Sequence, residues 1–320
     1  MYIVDTHCDT IMRCLIEEGF ELKKNIGHID VEKLKKGRSL AQCFALFMLR
    51  DEFSPEEYIG MPFFDIYQAM LGAYKREMEA NKDILRPALN AADIEKNKAE
   101  GFISSILTVE DGVAIEGKLD RVKTMHDDGV RLITLTWNYE NSIGYPNSAD
   151  NEEHMRGLKP FGIEAVQYMN ELGIAVDVSH LSEGGFYDVV KYAKKPFIAS
   201  HSCARALCDE SRNLTDDQLK KIGETGSIVG VNFYSGFLNL NSEYTSYDDI
   251  VKHTVYMADK AGLESICLGS DFDGIENELE MKDFSGMVGL VEALNKKFTA
   301  DQVDMIANGN AMRFIKEVMK

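Results

Sequence analysis

The feature that most constrains the fold is a series of eight short apolar runs spread along the 320 residues of the chain. The runs are residues 2–5, 42–48, 103–109, 132–136, 174–178, 196–200, 227–232 and 266–269. Most of them are continuously apolar instead of alternating between apolar and polar residues. This pattern is typical of strands in a parallel sheet that is covered on both faces.

Helical patterns separate these runs. Apolar residues recur at helical spacing in 62–80, 162–172, 215–224, 247–261 and 301–319. Gly173 is placed to end the second of these helices, and Thr215 with Gln218 is placed to cap the start of the third. Asn310 is a candidate for breaking the last pattern into two helices.

Strand and helix alternating eight times predict an α/β fold of the TIM type, a (β/α)8 barrel. A doubly wound open sheet is the competing architecture. We prefer the barrel because the count reaches eight and no glycine-rich phosphate loop follows the first run. No linker composition divides the chain, so we expect one catalytic domain over 1–320, with a helical insertion around 50–100.

Composition excludes several classes of partner. The formal net charge of −18 argues against nucleic acid or an anionic membrane surface as the main partner. No apolar run approaches the roughly 18 residues of a membrane span, and no secretory signal opens the chain. Six scattered cysteines without a CxxC pair indicate reduced thiols. We therefore expect a cytoplasmic protein without membrane contact.

Several predicted strands end in residues that can bind metal or move a proton. They are His7 and Asp9 after the first run, Glu110 after the third, His180 after the fifth, His201 after the sixth and Asp271 after the eighth. The C-terminal ends of barrel strands meet at one mouth, where active sites form. Burying so many ionisable groups together without a cation would cost several kcal/mol per unpaired charge.

This donor set indicates a catalytic metal centre. Imidazole with carboxylate suits Zn²⁺, with Mn²⁺ or Fe²⁺ as alternatives, and no cysteine belongs to the set. The five donors His7, Asp9, Glu110, His180 and His201 exceed what one catalytic zinc ion takes from protein. Two ions about 3.5–4 Å apart explain the number better, and Glu110 is placed to bridge them.

Neighbouring polar residues have simpler explanations. Ser200 and Ser202 flank His201, but no Gly-x-Ser-x-Gly elbow supports a serine hydrolase. Asp177 is expected to point away from His180 and to contact a helix. Arg212 lies in a predicted loop near the mouth, where its guanidinium can pair with a carboxylate. Asp5 is expected to support the site from behind, and Cys8 is not expected to be a ligand.

The chain resembles the membrane dipeptidase (renal dipeptidase) family of zinc metallopeptidases, in a soluble bacterial form. The resemblance rests on motifs in the same order over nearly the whole chain. They are 5–9 (DTHCD), 109–112 (VEDG), 131–136 (RLITLT), 157–162 (GLKPFG), 177–180 (DVSH), 200–202 (SHS), 211–213 (SRN), 231–234 (VNFY) and 269–274 (GSDFDG).

The resemblance implies a (β/α)8 barrel with two zinc ions that hydrolyses dipeptides, including those with a C-terminal D-residue. It implies that His7, Asp9 and Glu110 hold one ion, and that Glu110, His180 and His201 hold the other. A hydroxide shared by the ions is then the nucleophile and Asp271 the catalytic proton shuttle. Arg212 corresponds to the arginine that binds the terminal carboxylate of the small peptide substrate. The resemblance also allows a homodimer.

One position departs from the family. Where well-known members carry a histidine that contacts substrate, this chain has Trp137, which donates only through its indole N–H. Asn138, Tyr139 and Asn141 are candidates for the missing donor, and of these Asn138, together with Trp137, is expected to contact substrate. Two other hypotheses stay open. One is a related two-metal hydrolase acting on a lactam, lactone or N-acyl amino acid, and the other is a metal-binding scaffold without activity.

Overall fold

Short parallel strands form the centre of the molecule. The computed structural model describes residues 1–320, apart from the side chain of residue 53. Its strands are β1 (Ile3–Asp5), β2 (Ser39–Phe47), β3 (Leu85–Pro87), β4 (Ile103–Glu110), β5 (Val130–Thr134), β6 (Ala175–Asp177), β7 (Ile198–Ser202), β8 (Ile228–Val231), β9 (Tyr244–Thr245), β10 (Ile266–Leu268) and β11 (Glu278–Leu279).

The main sheet closes on itself. Its strands follow the order β2-β1-β10-β8-β7-β6-β5-β4, and a parallel pairing of β2 with β4 joins the two ends. The strands of the barrel are those predicted from the eight apolar runs, so the (β/α)8 prediction is confirmed. The short β3 pairs with the start of β4, beside the barrel, and was not predicted. A small separate sheet joins β9 to β11.

Helices surround the barrel. They are α1 (Thr10–Ile16), α2 (Val31–Lys36), α3 (Phe63–Ala80), α4 (Ala91–Ala99), α5 (Leu119–Asp127), α6 (Asn151–His154), α7 (Pro160–Leu172), α8 (Glu183–Tyr192), α9 (Asp216–Glu224), α10 (Ser235–Leu238), α11 (Tyr247–Ala261), α12 (Met287–Leu294), α13 (Ala300–Asp304) and α14 (Asn310–Val318). Single 3₁₀ turns lie at Asp51–Phe53, Glu56–Tyr58, Gly112–Ile115, Leu263–Ser265 and Phe284–Gly286, and a π-helical segment spans Met305–Gly309.

The helix patterns in the sequence correspond to observed helices. Helix α7 starts two residues before its predicted start, because Pro160 occupies the first turn, and it ends at Gly173 with φ +82°. Thr215 and Gln218 form the capping box of α9. Asn310 does not break the last pattern. The π-helical segment joins α13 to α14 there, and the Asn310 side chain donates to the carbonyls of Leu263 and Ile266.

Apolar side chains fill the end of the barrel where the strands begin. Val4, Ile106 and Ile228 are buried there, and α14 packs against them with Phe314 and Ile315. The ionisable residues predicted at the strand ends therefore lie at the opposite end of the barrel, where the strands finish. None of the described helices is both long and apolar enough to cross a membrane.

Candidate metal centre

The residues predicted at the strand ends converge at the C-terminal mouth of the barrel. Glu110 is the last residue of β4, and His201 lies within β7 instead of after it. The pairing of β7 with β8 shifts register between Ala199 and Ser202, an irregularity that turns side chains at a barrel rim. His180 and Asp271 have positive φ angles of 66° and 61°, and backbone strain of this kind collects at functional sites.

The Glu110 carboxylate lies between the histidines. Its Oε2 is 3.3 Å from Nε2 of His7, and its Oε1 is 3.1 Å from Nε2 of His180 and 3.6 Å from Nε2 of His201. Asp9 Oδ2 is 3.4 Å from Nε2 of His7. One carboxylate therefore faces two separate groups of donors, as a bridging ligand must.

The donor atoms form three overlapping sets that can each hold a cation. The sets are His7, Asp9 and Glu110; Glu110, His180 and His201; and His7, His201 and Asp271, each with its ligand atoms within 4.8 Å of one another. Nε2 of His180 is 3.0 Å from Nε2 of His201, and the rings of His7 and His201 stack 3.9 Å apart. Nitrogens this close need a proton or a cation between them.

Buried atoms without partners support a cation in this place. Both ring nitrogens of His7 and Oδ1 of Asp9 are buried and have no hydrogen-bond partner among the described residues. Buried polar groups left in this state cost about 1–3 kcal/mol each. Imidazole and carboxylate are the donors that Zn²⁺, Mn²⁺ and Fe²⁺ accept, so the residues present fit such ions.

Burial and the closeness of the charged groups shift the pKa values of the cluster. Burial raises the pKa of Glu110 to about 8, and the charge of Asp9 adds to the effect. Burial opposes the charged form of His7, but the carboxylates of Glu110 and Asp9 outweigh it and raise its pKa well above the usual value. Burial lowers the pKa values of His180 and His201 well below the usual value, which favours neutral imidazoles.

Asp271 lies beside the cluster, at the cavity. Its Oδ1 is 3.8 Å from Nε2 of His7, and its Oδ2 accepts a hydrogen bond from the Asn232 side chain at 2.9 Å. Burial raises the pKa of Asp271 to about 6, with the charge of Asp9 acting in the same direction. The sequence analysis did not single out Asn232, although it belongs to the VNFY motif.

Two residues of the first motif support the site from behind. The Asp5 carboxylate accepts from the backbone and hydroxyl of Ser270 and from the Gln42 amide, and it belongs to none of the three donor sets. The Cys8 thiol donates to the Cys43 carbonyl, and burial raises the pKa of this thiol well above its usual value. Both side chains therefore make buried hydrogen bonds.

Arg212 is buried next to the cluster. Its terminal nitrogens donate to Ser202 Oγ at 2.9 Å and to the His201 carbonyl at 3.0 Å. Its Nε is buried without a hydrogen-bond partner among the described residues. Burial lowers the pKa of Arg212, and the nearby Asp271 carboxylate acts against this shift.

A cavity of about 430 Å³ opens above these groups. Asp9, Glu110, His180 and Asp271 form its floor, and its walls are largely apolar, from Met12, Ile16, Phe47, Trp137, Tyr234, Phe237 and Ile275. The Trp137 indole meets the Phe47 ring edge to face at 5.0 Å. Asn138 also lines the cavity, and its Oδ1 is 3.0 Å from Nδ1 of His180, so this amide orients a histidine of the cluster.

The expectation for Asp177 was wrong. Its carboxylate accepts hydrogen bonds from residues of neighbouring strands instead of a helix, including Thr134 on β5 and Ser200 on β7. In a small barrel, the side chains that point inward from alternate strands meet one another in layers. Asp177 therefore lies within the barrel, behind His201.

The sequence analysis also missed Asp273, two residues after Asp271. Its buried carboxylate accepts from the Thr10 hydroxyl, the Arg13 guanidinium and the backbone of His28. These contacts join α1 and the loop before α2 to the loop that carries Asp271. Its place in the GSDFDG motif was the only signal for it in the sequence.

Several curated proteins match most of the chain, and two of them illustrate the range. A protein of Klebsiella pneumoniae, known as an uncharacterized protein in the pqqA 5′ region, is 33% identical over 264 residues, which cover 79% of this chain and 96% of that protein. Dipeptidase tcpJ of Claviceps purpurea is 28% identical over 95% of this chain and 72% of its own length.

Solved structures share the whole fold. The crystal structure of dipeptidase AC, a metallopeptidase of family M19, superposes with a TM-score of 0.90 at 26% identity and covers 100% of this chain and 99% of its own. A metallopeptidase from Rhodobacter sphaeroides, bound to a phosphinate mimic of the dipeptide L-Ala-D-Ala, also gives 0.90, at 24% identity over 99% of both chains. At that identity, the second match supports the fold.

The sequence model of the membrane dipeptidase family, peptidase family M19, matches residues 1–320. This confirms the resemblance found from the motifs, and with it the expected enzyme class of metallo-dipeptidase. The chain belongs to the membrane dipeptidase family of metallopeptidases.

Proposed function

We propose that this protein hydrolyses dipeptides at a centre of two divalent ions, with Zn²⁺ as the first choice and Mn²⁺ or Fe²⁺ as alternatives. The observation that carries the proposal is the position of Glu110, whose two carboxylate oxygens face His7 on one side and His180 with His201 on the other. A single buried carboxylate shared by two donor groups is the arrangement that a pair of ions needs.

The ligands divide between the two positions. His7 and Asp9 would hold one ion, and His180 and His201 the other, with Glu110 common to both. Together with Asp271 they come from the C-terminal ends of strands between β1 and β10 of one closed barrel. We therefore also propose that residues 1–320 act as one catalytic domain.

The chemistry that such ions supply is a water molecule activated near neutral pH and a polarised peptide carbonyl. Asp271 has the position for proton transfer, since it lines the cavity floor next to His7. The Asn232 amide holds one of its oxygens and leaves the other free to accept a proton from the attacking water. Returning this proton to the leaving amine completes the hydrolysis.

Arg212 supplies the charge that would select dipeptides. Its two terminal nitrogens each carry a second hydrogen, so the guanidinium can bind a substrate carboxylate while it keeps Ser202 and the His201 carbonyl. The guanidinium lies 5.4 Å from the ring of Phe237, a residue that lines the cavity of about 430 Å³, and a carboxylate bound there would limit the length of the peptide. The Rhodobacter sphaeroides relative binds a mimic of L-Ala-D-Ala, so dipeptides with a C-terminal D-residue belong in the test.

Trp137 favours a second candidate, a two-metal hydrolase of lactams, lactones or N-acyl amino acids. This indole replaces a polar family residue on the cavity wall and meets the Phe47 ring edge to face. An apolar wall at this point suits an acyl or ring substituent as well as a peptide side chain.

A substrate panel on the metal-loaded protein separates the two candidates. It contains dipeptides with L- and D-residues at the C-terminus, their C-terminal amides, N-acyl amino acids, lactams and lactones. We expect hydrolysis of the free dipeptides, and a raised KM for the amides because Arg212 loses its partner. Activity confined to the lactams, lactones or N-acyl amino acids would contradict the dipeptidase proposal.

A further inference from the structure

A Ser-His dipeptide lies at the C-terminal end of two neighbouring strands, but its serine has different contacts in each. Ser179 precedes His180 after β6, and Ser200 precedes His201 within β7. The Ser200 hydroxyl contacts the imidazole of His201, with Oγ 2.7 Å from Nδ1. The Ser179 hydroxyl instead accepts from the backbone N–H of His201, at 3.1 Å.

Ser200 also contacts a buried carboxylate. Its Oγ is 2.5 Å from Oδ2 of Asp177 and 3.4 Å from Oγ of Ser179. Asp177 is surrounded by donors. It accepts from the backbone N–H groups of Ser179 and Ser200 and from the hydroxyls of Thr134 and Ser200. With donors on both oxygens, this carboxylate acts as an acceptor only.

These contacts fix the direction of the hydrogen bonds. A serine hydroxyl has one hydrogen, and Asp177 takes it. Ser200 Oγ must therefore accept from Nδ1–H of His201. The imidazole then carries its proton on Nδ1, and the lone pair of Nε2 points toward Glu110 and His180.

We propose that Ser200 and Asp177 are positioning residues for the metal centre. Through the Ser200 hydroxyl, the Asp177 carboxylate holds the His201 ring in its orientation and in the tautomer that a metal ligand needs. The inference rests on the proposed metal site. Carboxylates placed behind ligating histidines elsewhere contribute 10–100-fold to metal affinity.

His180 provides the contrast within the same centre. Its Nδ1 is 3.0 Å from Oδ1 of Asn138, an exposed side chain of the cavity wall. The Ser179 hydroxyl makes its short contact with a backbone N–H, not with the His180 ring. Ser179→Ala is therefore a matched control for Ser200→Ala, since each removes one buried hydroxyl that contacts His201.

The experiment measures Zn²⁺ affinity of the metal-free full chain by competition with a chromophoric chelator, together with the visible spectrum of the Co²⁺-loaded protein. For Ser200→Ala we expect one of the two binding steps to weaken by about 10–100-fold, with a changed Co²⁺ spectrum. For Ser179→Ala we expect wild-type affinity and spectrum. Thermal unfolding of the metal-free forms shows whether each variant is folded.

Asp177→Asn gives an independent variant if Ser200→Ala does not fold. An amide in that place donates to Ser200 and directs the hydroxyl hydrogen toward Nδ1, which favours the tautomer with Nε2 protonated. We expect the same binding step to weaken. Wild-type affinity and spectra in folded Ser200→Ala or Asp177→Asn would overturn the inference. If the wild-type protein binds no Zn²⁺, the proposed function itself fails.

Discussion

Asp271 is the residue whose substitution separates proton transfer from metal binding. Its side chain lies on the cavity floor and is held by Asn232, while the proposed ligands are other residues. For Asp271→Asn we expect kcat for dipeptides to fall by about 10²–10⁴-fold, the usual contribution of a general acid or base. Unchanged hydrolysis with the full metal content would contradict the role of Asp271.

Glu110 is tested by a comparison of metal content. Glu110→Gln removes the carboxylate that faces both donor groups, so we expect this variant to lose both ions. His180→Ala removes a donor from one group only, so we expect it to keep the ion at His7 and Asp9. Elemental analysis of both purified variants measures the difference. Equal metal content in the two variants would rule out a bridging Glu110.

Residues at strand ends were the easiest to predict. His7 and Asp9 follow the first apolar run and Glu110 follows the third, so their convergence follows once the barrel is assumed. Asp177 was misjudged because a single strand does not reveal which of its faces points into the barrel. The contacts of the Asn138 and Ser200 side chains with the imidazoles of His180 and His201 have no signature in local sequence.

At the scale of the element, α11 carries a buried histidine that links three segments. Nε2 of His253 donates to the Leu238 carbonyl, and Nδ1 accepts from the Ala204 backbone N–H. A proton on Nδ1 would oppose the second contact. Burial lowers the pKa of His253 to about 4, so the folded protein holds this ring neutral.

The expected consequence is loss of stability in acid. Between the unfolded pKa of about 6.5 and the folded value of about 4, the unfolded chain binds the proton and the folded chain does not. The contribution of His253 is therefore complete above about pH 6.5 and falls by up to about 1.4 kcal/mol per pH unit below it. His253→Gln keeps a donor and an acceptor but does not titrate.

Denaturant unfolding of the wild type and of His253→Gln from pH 7.5 to pH 5 measures this effect. We expect the free energy of unfolding of the wild type to fall faster than that of the variant, by about 2 kcal/mol over the whole range from pH 7.5 to pH 5. Parallel curves for the two proteins would show that His253 does not carry the effect.

Some strands and strand boundaries could not be predicted from the sequence, because they depend on contacts between elements. The helices with strong signals were placed well, and α11 matches its predicted range of 247–261. The strand β3 exists because its three residues pair with β4, which follows α4 in the sequence, so these residues gave no periodic signal of their own. His201 lies inside β7 because of a register shift, which is a property of two strands together.

At the scale of the whole molecule, the barrel separates stability from chemistry. Apolar side chains and α14 fill the end where the strands begin, and ionisable groups collect at the end where they finish. The count of apolar runs was enough to predict this architecture. The cavity walls come from loops after several strands. Their arrangement depends on how these loops pack against one another, which no single stretch of sequence reveals.

The central claim is that two ions at one Glu110-centred cluster carry out hydrolysis. The most direct measurement is a titration of the chelator-treated, metal-free protein with Zn²⁺ while the hydrolysis of a dipeptide is followed. We expect no activity in the metal-free protein and a rise that reaches its maximum at two equivalents of Zn²⁺ per chain. Full activity in the metal-free protein, or saturation at one equivalent, would contradict the claim.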